Sequence, residues 1–115
     1  MGMIYHMLPV QTWAVQPKEA EYSTESLAEE GFIHCTGEAT LVHEVANRFY
    51  RDGPDNLVVL AIDEQAVVTP VKWEPADGHL FPHIYGPLNL DAVRAVHQLR
   101  RDAEGAFLPL SPDKA

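Results

Sequence analysis

A chain of 115 residues, 46% apolar and 22% charged, is long enough to bury one core and too apolar to stay disordered. Seventeen acidic residues against eight basic ones give a formal net charge of −9, which argues against duplex nucleic acid or an anionic membrane as partner, since both demand clustered Lys and Arg. The one basic cluster, Arg94 with Arg100 and Arg101, has room for a single phosphate.

The first predicted element is an apolar strand over residues 3–8, closed by Pro9. A short helix over 10–16 follows and must end or kink at Pro17, which lacks the N–H and clashes with the preceding turn. Ser26-Leu27-Ala28-Glu29 fits a capping box, and Gly31 stands where a helix stop is wanted, so 24–30 reads as one or two helical turns. Residues 32–35 follow as a short second strand. The strongest helix spans 38–50: Leu41, Val42, Val45, Ala46, Phe49 and Tyr50 form one stripe, with Thr36 or Gly37 as cap and Gly53-Pro54 as stop. After a turn at 52–56, the apolar run 57–62 predicts a strand buried on both faces.

Residues 67–73 read as a strand that Pro70 places at an edge or bend. Residues 81–88 read as a strand interrupted by Pro82 and closed by Gly86-Pro87. Residues 90–99 suit helix or strand, with strand preferred. The tail 101–115 is expected to pack loosely, and Trp13, Tyr22 and Phe107 suit either core or surface patch. The sum is a single α+β domain over 1–100, with a small mixed or antiparallel β core, one long helix and short helices. No run of about 18 apolar residues exists and no basic segment leads into an apolar one, so neither a membrane span nor a secretory signal is expected. A single cysteine, Cys35, cannot close an internal disulfide and points to a reducing cytoplasm.

Six histidines are many for so short a chain. His6 is read at a strand end in Ile4-Tyr5-His6, His34 within Gly31-Phe32-Ile33-His34-Cys35-Thr36, and His83 within Phe81-Pro82-His83-Ile84-Tyr85-Gly86. Each sits among apolar or aromatic neighbours, where an imidazole needs hydrogen-bond partners and its pKa moves readily. That setting suits ligand contact or proton transfer, and convergence of the three on one small-molecule pocket is the expectation. The plainer alternative is a non-catalytic binding or interaction module whose histidines are structural. A third reading, a metal-dependent hydrolase, rests on His79 and His83, four residues apart. Pro82 breaks a helical spacing there, and CxxC and HExxH are both missing, so no metal site is expected.

Cys35 and His34 point to opposite faces of a strand, so Cys35 reads as a small buried apolar residue and not as a nucleophile. Thr36-Gly37 ahead of the long helix offers an anion seat or plain capping. Glu74, in Trp73-Glu74-Pro75, offers a base or a ribose-hydroxyl partner. The Gly-rich phosphate loops of Rossmann and P-loop proteins are missing from the sequence.

The segments Ile4-Tyr5-His6, Ser26-Leu27-Ala28-Glu29-Glu30-Gly31-Phe32-Ile33-His34-Cys35-Thr36 and Phe81-Pro82-His83-Ile84-Tyr85-Gly86-Pro87-Leu88 resemble the bacterial family called domain of unknown function 952, over residues 3–99. Thr36 stands where that family's Ser is expected, which keeps the hydroxyl. The resemblance implies an ADP-ribosyltransferase-like fold. Tyr5-His6 is similar to the aromatic-His pair that ends the first core strand of that superfamily, and Gly31-Phe32-Ile33-His34 is similar to its second motif. It implies that His6 meets the adenosine ribose of NAD. It also implies that His34 stacks on nicotinamide, as the tRNA 2′-phosphotransferase branch has His there.

The third motif departs. Transferases place a Glu that stabilises the oxocarbenium-like ribose, whereas residues 81–88 hold none and His83 occupies the comparable place, without fixed negative charge at neutral pH. The expected site therefore has His6, His34 and His83 as catalytic residues and Tyr5, His34, Thr36, Tyr85 and Glu74 around the cofactor. The expected ligand is a small nucleotide, NAD or a relative, with ADP-ribosyl or phosphoryl transfer as the chemistry. The oligomeric state stays open.

Overall fold

Strand β3 (Leu57–Asp63) organises the fold, because its first six residues are apolar and all are buried. In the computed structural model, which describes residues 2–53 and 55–110, β3 pairs antiparallel with β1 (Met3–Pro9) on one side and β6 (Val93–Leu99) on the other. Side chains alternate across a strand, so β3 feeds two cores. Val58, Leu60 and Ile62 meet Ile4, Leu8, Ile33, Ile84 and Leu88 on one face. Leu57 and Val59 meet Met7, Val42, Ala46, Leu99 and Phe107 on the other. Each fully buried aliphatic side chain of this kind stabilises by about 2 kcal/mol.

A second sheet has the order β2 (Ile33–His34), β5 (His79–Ile84), β4 (Val71–Ala76), again all antiparallel. The β core is thus wholly antiparallel between named strands. One isolated bridge joins the sheets: the Tyr5 N–H donates to the Thr36 carbonyl at 2.8 Å, and the Thr36 N–H donates back at 2.7 Å. Helices α1 (Val10–Ala14), α2 (Glu25–Glu30) and α3 (Ala39–Phe49) cover the sheets. Among the described residues, no helix is long and apolar enough to cross a membrane.

Several boundaries differ from the sequence reading for identifiable reasons. The cap of α2 is Thr24, which accepts from the Leu27 N–H, whereas Ser26 is spent on the Phe32 carbonyl. Gly31 ends α2 in the left-handed conformation, as a glycine stop should. Thr36 does not cap α3; it is buried in the inter-sheet bridge, and Glu38 occupies the cap without a side-chain bond. Along α3 only Val42 and Ala46 are fully buried, while Phe49 lies 64% exposed.

The strand placed at 67–73 begins later, at Val71 just after Pro70, and runs through Pro75 to Ala76. The next strand starts at His79 and tolerates Pro82 within it. A 3-10 turn, Leu90–Ala92, precedes β6, as fits the strand reading of that segment. Tyr22 and Phe107 are both core. The looseness expected of the tail does not extend to Phe107, whose N–H donates to the Asn47 side chain at 2.6 Å and whose ring lies under Arg101. Pro54 of the 52–56 turn and residues 111–115 of the tail lie outside the described residues.

Candidate functional site

The second sheet buries one face and exposes the other, and this alternation assembles the site. Ile33 and Ile84 point into the core. Their neighbours Phe32, His34, His83 and Tyr85 share the opposite face, because His34 pairs directly with His83 in register. The Phe32 ring stacks on His83 with centroids 4.1 Å apart, and His34 stands edge-on to His83 at 5.3 Å.

Strand β4 completes the arrangement from the other side. Glu74 reaches His83, whose Nδ1–H donates to its Oε1 at 2.6 Å, and the Tyr85 hydroxyl donates to the same oxygen at 2.7 Å. These two bonds, Tyr85 first and His83 second, hold the Glu74 carboxyl below the usual carboxylate range, and the same bond raises Tyr85. With Nδ1 committed to the carboxylate, a neutral His83 keeps its lone pair on Nε2, which has no partner among the described residues. Lys72 lies over the Tyr85 ring at 4.8 Å. Glu74, read from sequence as a base or a ribose-hydroxyl partner, is therefore the group that orients His83.

His6 has a different character. It lies inside β1, not at its end, and is only 7% exposed. Its Nδ1–H donates to the His34 carbonyl at 2.7 Å, and its Nε2 accepts from the Tyr22 hydroxyl at 2.8 Å. Burial lowers its pKa to about 4, so at neutral pH it is an uncharged imidazole with both nitrogens engaged. Such a ring positions the β2 backbone and has no free nitrogen for proton transfer. Burial likewise pushes Tyr22 and Cys35 upward, which keeps Cys35 a thiol and not a nucleophile. His34, by contrast, is not in dry surroundings: its side chain is half exposed and its Nε2 meets Glu30 at 3.1 Å.

All three imidazoles line one broad groove of about 1100 Å³ between the sheets and α3. Tyr5, Tyr22 and Thr36 line it too, while Glu74 and Tyr85 stand behind His83 outside the lining. Phe32, Glu30 and Tyr22 were not singled out from sequence; the alternation from Phe32 to His34 was the available signal. The Arg94, Arg100 and Arg101 cluster does not form an anion seat. Arg94 pairs with Asp63, and Arg101 is bonded to backbone carbonyls. Among the described residues no three His, Cys, Asp or Glu side chains gather around a point where a metal could sit.

Comparison with known proteins agrees with this architecture. The crystal structure of protein CC0527 from Caulobacter crescentus is similar, with 31% identity, a TM-score of 0.76, and 92% of this chain and 93% of that one covered. A double mutant of CC0527 gives a TM-score of 0.75 at the same identity and coverage. The solution NMR structure of CC0527 gives 0.74 at 29% identity, covering 100% and 97%. No curated protein matches the chain. The family described as "Protein of unknown function (DUF952)" matches residues 7–96, and the chain belongs to that family.

Proposed function

We propose that the groove binds a small ribose-bearing aromatic ligand related to NAD, in an ADP-ribosyltransferase-like fold, and that His83 moves a proton there. One observation carries this reading: the Glu74 carboxylate holds His83 by Nδ1 at 2.6 Å, and Nε2 has no partner among the described residues. A carboxylate that fixes the tautomer of a histidine is how enzymes prepare a general base. Nε2 takes the proton of an attacking water or ribose hydroxyl as that oxygen bonds to the anomeric carbon and the bond from that carbon to the base nitrogen breaks; nicotinamide leaves as a neutral ring, and the proton passes from His83 to solvent. His34 supplies a ring edge for an aromatic base, and the hydroxyls of Ser23, Thr24 and Thr36 in the lining suit a ribose. His6 enters as a positioning residue through the His34 carbonyl.

The fit to NAD is partial. The aromatic and hydroxyl groups suit a base and its ribose, but a diphosphate finds only Arg48 among the basic residues of the lining. The test is thermal unfolding with nicotinamide riboside, adenosine, ADP-ribose and NAD. A ligand at a hundred times its Kd stabilises by about 2.7 kcal/mol. His83→Gln should retain that shift while losing turnover by roughly 10²–10⁴, the usual contribution of a general base. Absence of a shift with every one of these ligands rejects the reading.

The saturation of both His6 nitrogens favours a second reading, a non-catalytic binding module. Ligand binding that survives in His83→Gln, with no turnover in the parent protein, selects it.

A further inference from the structure

The groove's electrostatics narrow the ligand class, an inference that rests on the reading above. The charged residues of the lining are Glu25, Glu44, Asp77 and Arg48. Arg48 is not free: its Nη1 lies 2.7 Å from the Asp77 carboxylate. Of the imidazoles in the lining, His34 faces Glu30 at 3.1 Å, His83 faces Glu74 at 2.6 Å and His6 is buried and neutral, which leaves His79 at the rim as the one imidazole with no acidic partner among the described residues. Lys72 is turned away onto the Tyr85 ring, outside the lining. A phosphate entering here would therefore meet Glu25 and Glu44, which have no cationic partner among the described residues, while the permanent cation of the lining, Arg48, is held by Asp77.

We infer that the groove selects a phosphate-free ribonucleoside, neutral or cationic, over the corresponding monophosphate or dinucleotide. The chemistry needs a base to lie against His34 and ribose hydroxyls to meet the hydroxyl side chains. It does not need an anion subsite. The discrimination comes from unfavourable charge placed where a wrong ligand would sit.

Isothermal titration calorimetry on the full chain tests this with nicotinamide riboside against nicotinamide mononucleotide and NAD, and with adenosine against AMP and ADP-ribose. In each series the nucleoside should bind tighter by at least about fivefold, the scale of one near-surface charge contact. A phosphorylated member that binds as well as its nucleoside overturns this inference and leaves the NAD-related reading standing. Binding of none of the six overturns both. Asp77→Asn gives a second measurement. Asp77 has φ +53°, a conformation Asn tolerates, so the variant keeps the turn while it frees Arg48. It should raise affinity for each phosphorylated member several-fold relative to its own nucleoside. Equal effects on both sets would overturn the assignment.

Discussion

The Tyr22 hydroxyl donates to Nε2 of His6 at 2.8 Å, and this bond fixes the tautomer of an imidazole that burial keeps uncharged in the middle of a strand. Folded His6 titrates near pH 4, whereas an unfolded histidine titrates near its ordinary 6.5. Between those values the unfolded chain binds a proton that the folded chain does not, so stability rises with pH across the window. The contribution is full above about pH 6.5 and is lost as pH falls toward 4, by roughly 3 kcal/mol in all. Urea unfolding at pH 7 and pH 4.5 measures it, and His6→Asn should flatten the slope. Parallel pH profiles for parent and variant would contradict the assignment. Tyr22→Phe, which leaves Nε2 unpaired, should cost about 1–2 kcal/mol at pH 7.

A second expectation concerns the shared oxygen of Glu74. It holds Tyr85 protonated, so in Glu74→Gln the Tyr85 hydroxyl should ionise at lower pH than in the parent. NMR of the Tyr85 ring through an alkaline titration reads this. On the acid side the pH dependence has the same sign as that of His6 but a different origin, hydrogen bonds to the charged form and not burial. The Glu74 carboxyl titrates lower folded than unfolded, so its contribution is present above the ordinary carboxylate range and fades as pH falls toward the folded value. An unmoved Tyr85 titration would show that the hydrogen bond does not form in solution.

Arg101 makes a different kind of anchor. Its guanidinium donates to the carbonyls of Arg51, Gly53, Asp55 and Gly105 and stacks over Phe107 at 4.1 Å. Lysine keeps the charge but lacks the planar fork, so Arg101→Lys should destabilise by about 2 kcal/mol. Chemical denaturation measures the loss. A change within about 0.5 kcal/mol, the ordinary surface range, would mean that the carbonyls find water instead.

Gly37 is required by its neighbour. A Cβ there would lie 2.5 Å from Cζ3 of Trp73, whose indole N–H is tied to Glu64 at 2.8 Å. Gly37→Ala should displace that ring, cost about 1–3 kcal/mol and shift tryptophan fluorescence toward longer wavelength. Gly31→Ala meets no neighbour and should cost less, through its left-handed backbone alone. A larger loss at Gly31 than at Gly37 would reverse this account.

The elements most legible in the sequence were those with one dominant cause. Leu57–Asp63 is apolar without interruption, and Gly31 is a glycine where a helix must end. Periodicity located α3, but a stripe shows which residues share a face and not whether that face meets a core or a groove; Phe49 and Tyr50 line the open part. Within the site, His34 and His83 could be suspected singly, but their pairing depends on strand register, a long-range property. The partnership of Glu74 with His83 depends on it too, one strand further on. The different character of His6 was invisible, since nothing local announces that Tyr22 and the His34 carbonyl will occupy its two nitrogens.

The two backbone bonds between Tyr5 and Thr36 have a mechanical corollary. Between the two three-stranded sheets this residue pair supplies the one backbone bridge among the described residues, beside the His6 bond to the His34 carbonyl and the shared core, and it lines the groove. Those two amides should be the sensors of occupancy. Hydrogen exchange at Tyr5 and Thr36 should slow when a ligand spans the cleft, while the amides of Leu57–Asp63 stay equally protected with or without it.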